Sequence, residues 1–137
     1  MGAHLNYGLG LSFLRHIERS KILVFVIDAS KAKPHIDLYT LLRELELYDP
    51  RLLEKPGLVL ANKIDRFSSA AEAEERICEI KEKIPDKLKS RLHVYGISAK
   101  YGFSVTDVTY KLKAMVAEND QKQKQHQEHE EQNQHQA

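Results

Sequence analysis

One cysteine, Cys78, stands in a chain of 137 residues, so no internal disulfide can staple the fold. It falls in a charged helical stretch where packing is its expected role, which suits a reducing compartment without requiring one. Long apolar runs are also missing. The longest, Ile22 to Ile27, falls far short of the roughly 20 residues that cross a bilayer, so no membrane span is expected. Neither charge sign dominates: 21 Lys+Arg stand against 20 Asp+Glu, a formal net charge of +1. The whole-molecule field therefore favours no nucleic-acid or anionic-membrane partner. Such a contact would need a local patch; Arg15, Arg19 and Lys21 form a small basic cluster that could touch RNA phosphates, though a solvated face explains it at least as well. Only four prolines occur, and Pro50, Pro56 and Pro85 act as boundary marks. What remains, 42% hydrophobic and 30% charged residues, is ordinary for one soluble globular domain.

The opening MGAHLNYGLGLSFLRHIERS mixes apolar and basic residues as a transit peptide does, yet it contains Glu18 and runs straight into a strand. It reads as part of the domain. Met1-Gly2 begins a myristoylation pattern that fails at Asn6, where Ser or Thr is needed.

Three short strand-like runs follow in order: Ile22 to Ile27, Leu58 to Ala61 after Pro56-Gly57, and Leu92 to Ile97. Helical patterns separate them. Leu9 to Arg19 places Phe13, Leu14 and Ile17 on one side. Leu38, Leu41, Leu42, Leu45 and Leu47 form a stripe ending at Tyr48-Asp49-Pro50. Ser69 is the expected N-cap of a helix whose Ile77, Ile80 and Ile84 share a face before Pro85. A last helix is expected from Ser104 to Ala117, with Val105, Val108, Leu112, Met115 and Val116 inward. Strand and helix alternate three times, so the expected fold class is α/β: a three-layer parallel sheet with crossover helices. The outer strand Ile22 to Ile27 is so apolar that it calls for a neighbour. Residues 1–117 make up the expected domain. After Glu118 come seven Gln and no aliphatic residue except Ala137, the composition of a disordered Gln/His/Glu-rich tail over 118–137. Its His126, His129 and His135 lack the Cys partners and fixed geometry of a specific metal site.

The chemistry is concentrated at two strand ends. Asn62, Lys63 and Asp65 leave the C-terminal end of the second strand, where open α/β sheets bind ligands. The Asp65 carboxylate can accept two hydrogen bonds from adjacent N–H donors, and guanine presents N1–H and N2–H₂ in that arrangement while adenine does not. With the wrong base the carboxylate would stay unpaired, a penalty of the kind that supports discrimination on the order of 10⁴ to 10⁵. Asn62 can bond the other edge of the base and tie neighbouring loops together, and the Lys63 stem can lie along the ring. A four-residue pattern is common by itself. About 35 residues on, however, the third strand ends in Gly96-Ile97-Ser98-Ala99-Lys100. There Ser98 can orient Asp65, the Ala99 N–H can meet guanine O6, and Lys100 can cover the base. Asp28, ending the first strand, reads as a turn or helix-cap residue, and His16 as a charged helix position rather than a general base.

Asn62-Lys63-Ile64-Asp65 and Ser98-Ala99-Lys100 resemble the fourth and fifth guanine-nucleotide motifs of P-loop GTPases. The segment from Gly2 to Ser20, GAHLNYGLGLSFLRHIERS, resembles the Obg family, in which such a segment follows an Asp-x-Pro-Gly motif in the switch II region. With VFVIDAS and the LRELELY helix, the resemblance covers about residues 2 to 117, the C-terminal half of an Obg-type G domain, and is greatest to the eukaryotic organellar branch. It implies binding of GTP and GDP with Mg²⁺, slow GTP hydrolysis, and a role in assembly of the large ribosomal subunit through that subunit or its rRNA. It implies a mitochondrial location, against a cytoplasmic or nucleolar one. In the family's topology the first strand of this chain would pair with the phosphate-loop strand.

The departures limit what is expected. No GxxxxGK[ST] and no Asp-x-Pro-Gly occur in the 137 residues, so nothing here would cradle phosphates or ligate Mg²⁺. No catalytic residue is assigned. The chain looks truncated, keeping guanine recognition through Asn62, Lys63, Asp65, Ser98, Ala99 and Lys100 without hydrolysis. Two other classes fit: a noncatalytic module binding a ribosomal or assembly partner, and an unrelated flavodoxin-like α/β domain.

Overall fold

A computed structural model of the protein describes residues 10–102 and 104–136. The glycines Gly2 and Gly8 and the rest of the Obg-like segment before Gly10 lie outside the described residues. Two compact units divide between Val105 and Thr106.

The first unit carries the helices α1 (Leu11–Arg19), α2 (Pro34–Tyr48) and α3 (Ala70–Lys83) and the strands β1 (Leu23–Asp28), β2 (Gly57–Asn62) and β3 (Leu92–Gly96). The strands form one parallel sheet in the order β1-β2-β3. The α/β class with parallel strands and crossover helices is therefore as expected, and each strand lies within a residue or so of its expected place. Three 3₁₀ turns that periodicity does not signal, Pro50–Glu54, Ile64–Arg66 and Asp86–Leu88, complete the connections.

Each element has a local cause. Pro34 occupies the first turn of α2, where its missing N–H costs nothing. The Ser69 side chain accepts from the Glu72 N–H at 3.1 Å, capping α3 as expected. The open carbonyls ending α1 are met by Lys55, whose Nζ donates to Ile17 O at 3.1 Å, to Glu18 O at 2.7 Å and to Ser20 O. Gly57 is required where β1, β2 and β3 close up, since a Cβ there would lie 2.6 Å from Leu23 O.

The core lies between the helices and one face of the sheet: Leu23, Phe25, Ile27, Val59 and Val94 meet Leu14, Leu38, Leu42, Leu45 and Ile80. β2 is buried from Gly57 to Ala61, as a central parallel strand should be. The expected stripe of α2 holds except at Leu47, which is 56% exposed. It is two residues past Leu45, about 200° round the helix, and so points away from the core. β1 is an edge of the sheet, with Val24 44% and Val26 58% exposed. The neighbour that its apolar sequence calls for is not found among the described residues.

The helix α4 (Val105–Gln136) runs through the segment whose composition suggests disorder. No Gly or Pro follows Gly102, and Gln, Glu, Lys and Ala are good helix formers, so local propensity alone permits a continuous helix. A polar sequence lacks a face to bury, which is the signal that points to disorder; it does not lack helix propensity. The break between the two compact units falls at 105/106. No helix of the described residues is long and apolar enough to cross a membrane.

Candidate functional site

In parallel strands the register sets which residues leave the sheet together. Asp28 is opposite Asn62, and Ala61 is opposite Gly96. The loops after all three strands therefore start from one rim. Three backbone bonds join them: the Ala29 N–H donates to Asn62 O at 2.9 Å, the Ile97 N–H to Ala61 O at 2.9 Å, and the Ile64 N–H to Ile97 O at 3.2 Å. Gly96 makes room at this rim, because a Cβ there would collide with Ile77 of α3 and come within 3.1 Å of Ile64 Cγ2.

The sequence-selected side chains interlock across the rim. Ser98 Oγ donates to Asp65 Oδ1 at 2.8 Å, and Ser98 is 1% exposed. Among the described residues Asp65 Oδ2 has no hydrogen-bond partner. Asn62 Oδ1 accepts the Ala99 N–H at 3.0 Å, which ties the second loop to the third and leaves the amide Nδ2 as a donor. This bond alters the expected role of Ala99: its N–H is already engaged by Asn62, so any further acceptor would have to share it. Lys100 lies with Nζ 5.2 Å from the centre of the Tyr101 ring. That contact places it in the third loop as a cation over its neighbour's face.

Lys63 brings in a partner that sequence reasoning did not assign to it. Its backbone is left-handed, with φ 69° and ψ 32°, and its Nζ reaches Asp28 Oδ2 at 2.8 Å. The other Asp28 oxygen accepts from the Ser30 N–H at 2.9 Å and from Ser30 Oγ at 2.6 Å. Asp28 is thus the expected turn residue and also an ion-pair partner. Burial raises its pKa, but the bonds from Lys63 and Ser30 outweigh this and leave it at about 2. The sequence signal was available: an acidic residue at a strand's C-terminal end, one strand away from a lysine at the next. Arg76 braces the same area from α3. It donates to Lys31 O at 3.0 Å and Ala32 O at 3.1 Å, and lies over the Phe67 ring at 5.8 Å. Beside these loops opens a cleft of about 570 Å³, lined by Ile64, Phe67, Ala73 and Ile77 among others. It shares only Asp65 and Ser98 with the interlocked residues.

No family model matches the chain. Comparison with known proteins gives a match over 142 residues, 35% identical, to a GTP-binding protein 10 homolog of Drosophila melanogaster, covering 89% of this chain and 37% of that protein. Over 118 residues it is 39% identical to a GTPase Obg of Bacillus thuringiensis, covering 84% of this chain and 26% of that one. The resemblance to Obg GTPases holds. The Obg-like chain thus spans less than two fifths of these relatives' length. Among solved structures, Aquifex aeolicus Era in complex with GDP·AlF₄⁻ shares its fold, with a TM-score of 0.59 and 21% identity over 82% of this chain and 35% of Era. Its three parallel strands and their helices match part of a P-loop GTPase domain.

Proposed function

We propose that this chain forms the guanine-recognising part of an Obg-type GTP-binding protein. The observation that carries the reading is the Asp65 carboxylate, held through one oxygen by buried Ser98 at 2.8 Å. A carboxylate braced in this way is pre-set to accept the N1–H and N2–H₂ of guanine without first losing rotamer freedom. Asn62 Nδ2 is free to donate to N7 while Oδ1 holds Ala99. O6 would then take a share of the Ala99 N–H, and the Lys63 and Lys100 stems would flank the ring. Adenine would meet this carboxylate with no donor pair.

The remaining nucleotide groups are treated differently by these residues. The sequence contains no phosphate-binding GxxxxGK[ST], and among the described residues no group of three or more His, Cys, Asp or Glu is placed to hold a metal. The donor set does not fit Mg²⁺, and we assign no step to it. Recognition without turnover is therefore proposed for these 137 residues. GTP hydrolysis, a ribosomal or rRNA partner and a mitochondrial location are proposed only for the whole protein, supported by the Obg resemblance.

The test is a titration of ¹⁵N-labelled chain with GMP, IMP and AMP. GMP should perturb the Asn62–Asp65 and Ser98–Lys100 amides, IMP less for want of the 2-amino group, and AMP not at all. Equal responses to GMP and AMP would sink the reading. Release of phosphate from GTP by the pure chain would sink the claim of no turnover.

A further inference from the structure

We propose that Asp28 is a positioning residue for guanine recognition: by holding Lys63 Nζ it fixes the turn from which Asn62 and Asp65 face the base. The inference rests on the guanine reading above and adds to it a residue outside both recognition loops.

Three features support it. Lys63 adopts the left-handed region, φ 69°, where a side chain other than glycine is at a disadvantage unless its surroundings hold it. This residue separates Asn62 from the 3₁₀ turn containing Asp65, so its backbone sets the angle between the two groups that would read the base. The only ion pair that Lys63 makes among the described residues is with Asp28, at 2.8 Å. Asp28 is no loose surface acid. Its side chain is 19% exposed, its second oxygen is taken twice by Ser30, and its backbone pairs in register with Asn62. The segment that follows is anchored by Arg76 to α3. Lys63 is thus held at its tip by a fixed anchor. Its four-carbon stem becomes a wall of set position rather than a mobile chain, which lessens the ordering that a base would otherwise have to impose. A bland surface salt bridge would show neither the strained backbone on one partner nor the doubly bonded carboxylate on the other.

The experiment uses the full 137-residue chain and amide-shift titrations with GMP and IMP, with a thermal melt for each variant. Asp28→Asn should weaken GMP binding about tenfold, the scale of one well-placed ionic contact, and narrow the GMP-to-IMP ratio. Asp28→Glu, whose longer carboxylate still reaches Nζ, should recover much of the loss. In a Lys63→Met background, Asp28→Asn should cost less than about twofold, because the partner through which it acts is gone. A full tenfold loss in that background, or no loss in the wild-type background, overturns the proposal while leaving guanine recognition standing. A wild-type chain that binds GMP no better than AMP overturns both. Should Asp28→Asn fail to fold, Asp28→Glu and Lys63→Met decide: retained GMP-to-IMP discrimination in Lys63→Met overturns the role of the pair.

Discussion

The rim where the strands end and the outer edge of β1 make opposite use of the same sheet. At the rim, polar groups from three loops are paired with one another: Ser98 with Asp65, Asn62 with Ala99, Lys63 with Asp28. Along the β1 edge, the exposed Val24 and Val26 stand beside a backbone that no strand of the described residues pairs on its outer side. A closed polar network holds its members in one geometry, which suits recognition, whereas an open apolar edge is a surface in want of cover. The difference teaches that polar pairing fixes this unit where a base would be read, whereas its apolar edge has no neighbouring strand among the described residues.

The largest break in that comparison should come from the place where edge and centre are joined. Gly57→Ala sets a Cβ against Leu23 O, 2.6 Å away, a backbone atom with little room to yield. Loss of about 2 to 3 kcal/mol is expected, read as a lower urea midpoint. Next, Asp65→Ala removes the proposed base acceptor from an exposed position while sparing the core. GMP affinity should fall at least about tenfold, or roughly 1.4 kcal/mol, and the melt by the cost of the unpaired Ser98 hydroxyl, about 1 kcal/mol; Ser98→Ala, which loses the same bond but keeps the carboxylate, should lower the melt similarly while binding GMP better than Asp65→Ala.

A pH series sharpens the same rim. The Asp28 pKa is lowered from 3.8 to about 2, so the ionised carboxylate favours the folded state. That contribution is fully present above the unfolded value near 4 and is lost as pH falls through about 2. The shift corresponds to about 2 kcal/mol at most. Unfolding free energies of wild type and Asp28→Asn should differ above pH 4 and draw together towards pH 2, and a gap that stays constant would contradict the linkage. The smallest thermodynamic effect is expected at the edge. Val26, 58% exposed, can become Lys with less than about 0.5 kcal/mol change, yet the variant should stay monodisperse at higher concentration by light scattering.

Much of this was legible in the sequence. The three strands could be placed from short apolar runs bounded by Pro56-Gly57 and similar marks, and Ser69 as a cap from its position before α3. Asn62, Asp65, Ser98 and Ala99 could be grouped because parallel strands must end on one rim. Some packing readings went astray: Cys78, Val105 and Val116, expected to pack inward, are exposed. Leu47 joined a stripe by composition though its angle on the helix carries it outward. The Gln-rich segment suggested disorder because it buries nothing, but its residues have high helix propensity. The role of Asp28 was only half visible: its turn with Ser30 is local, whereas its partner Lys63 is 35 residues away.

By itself, then, the sequence determined the alternation of strands and helices, the Obg resemblance and the residue types proposed to read guanine, since these depend on local periodicity and side-chain chemistry. Only the tertiary structure decided that Asp28 grips Lys63, that the Ala99 N–H is already engaged by Asn62, and that β1 has no outer neighbour among the described residues. Each of these depends on strand register and on groups brought together from distant parts of the chain, and no local pattern encodes such distances.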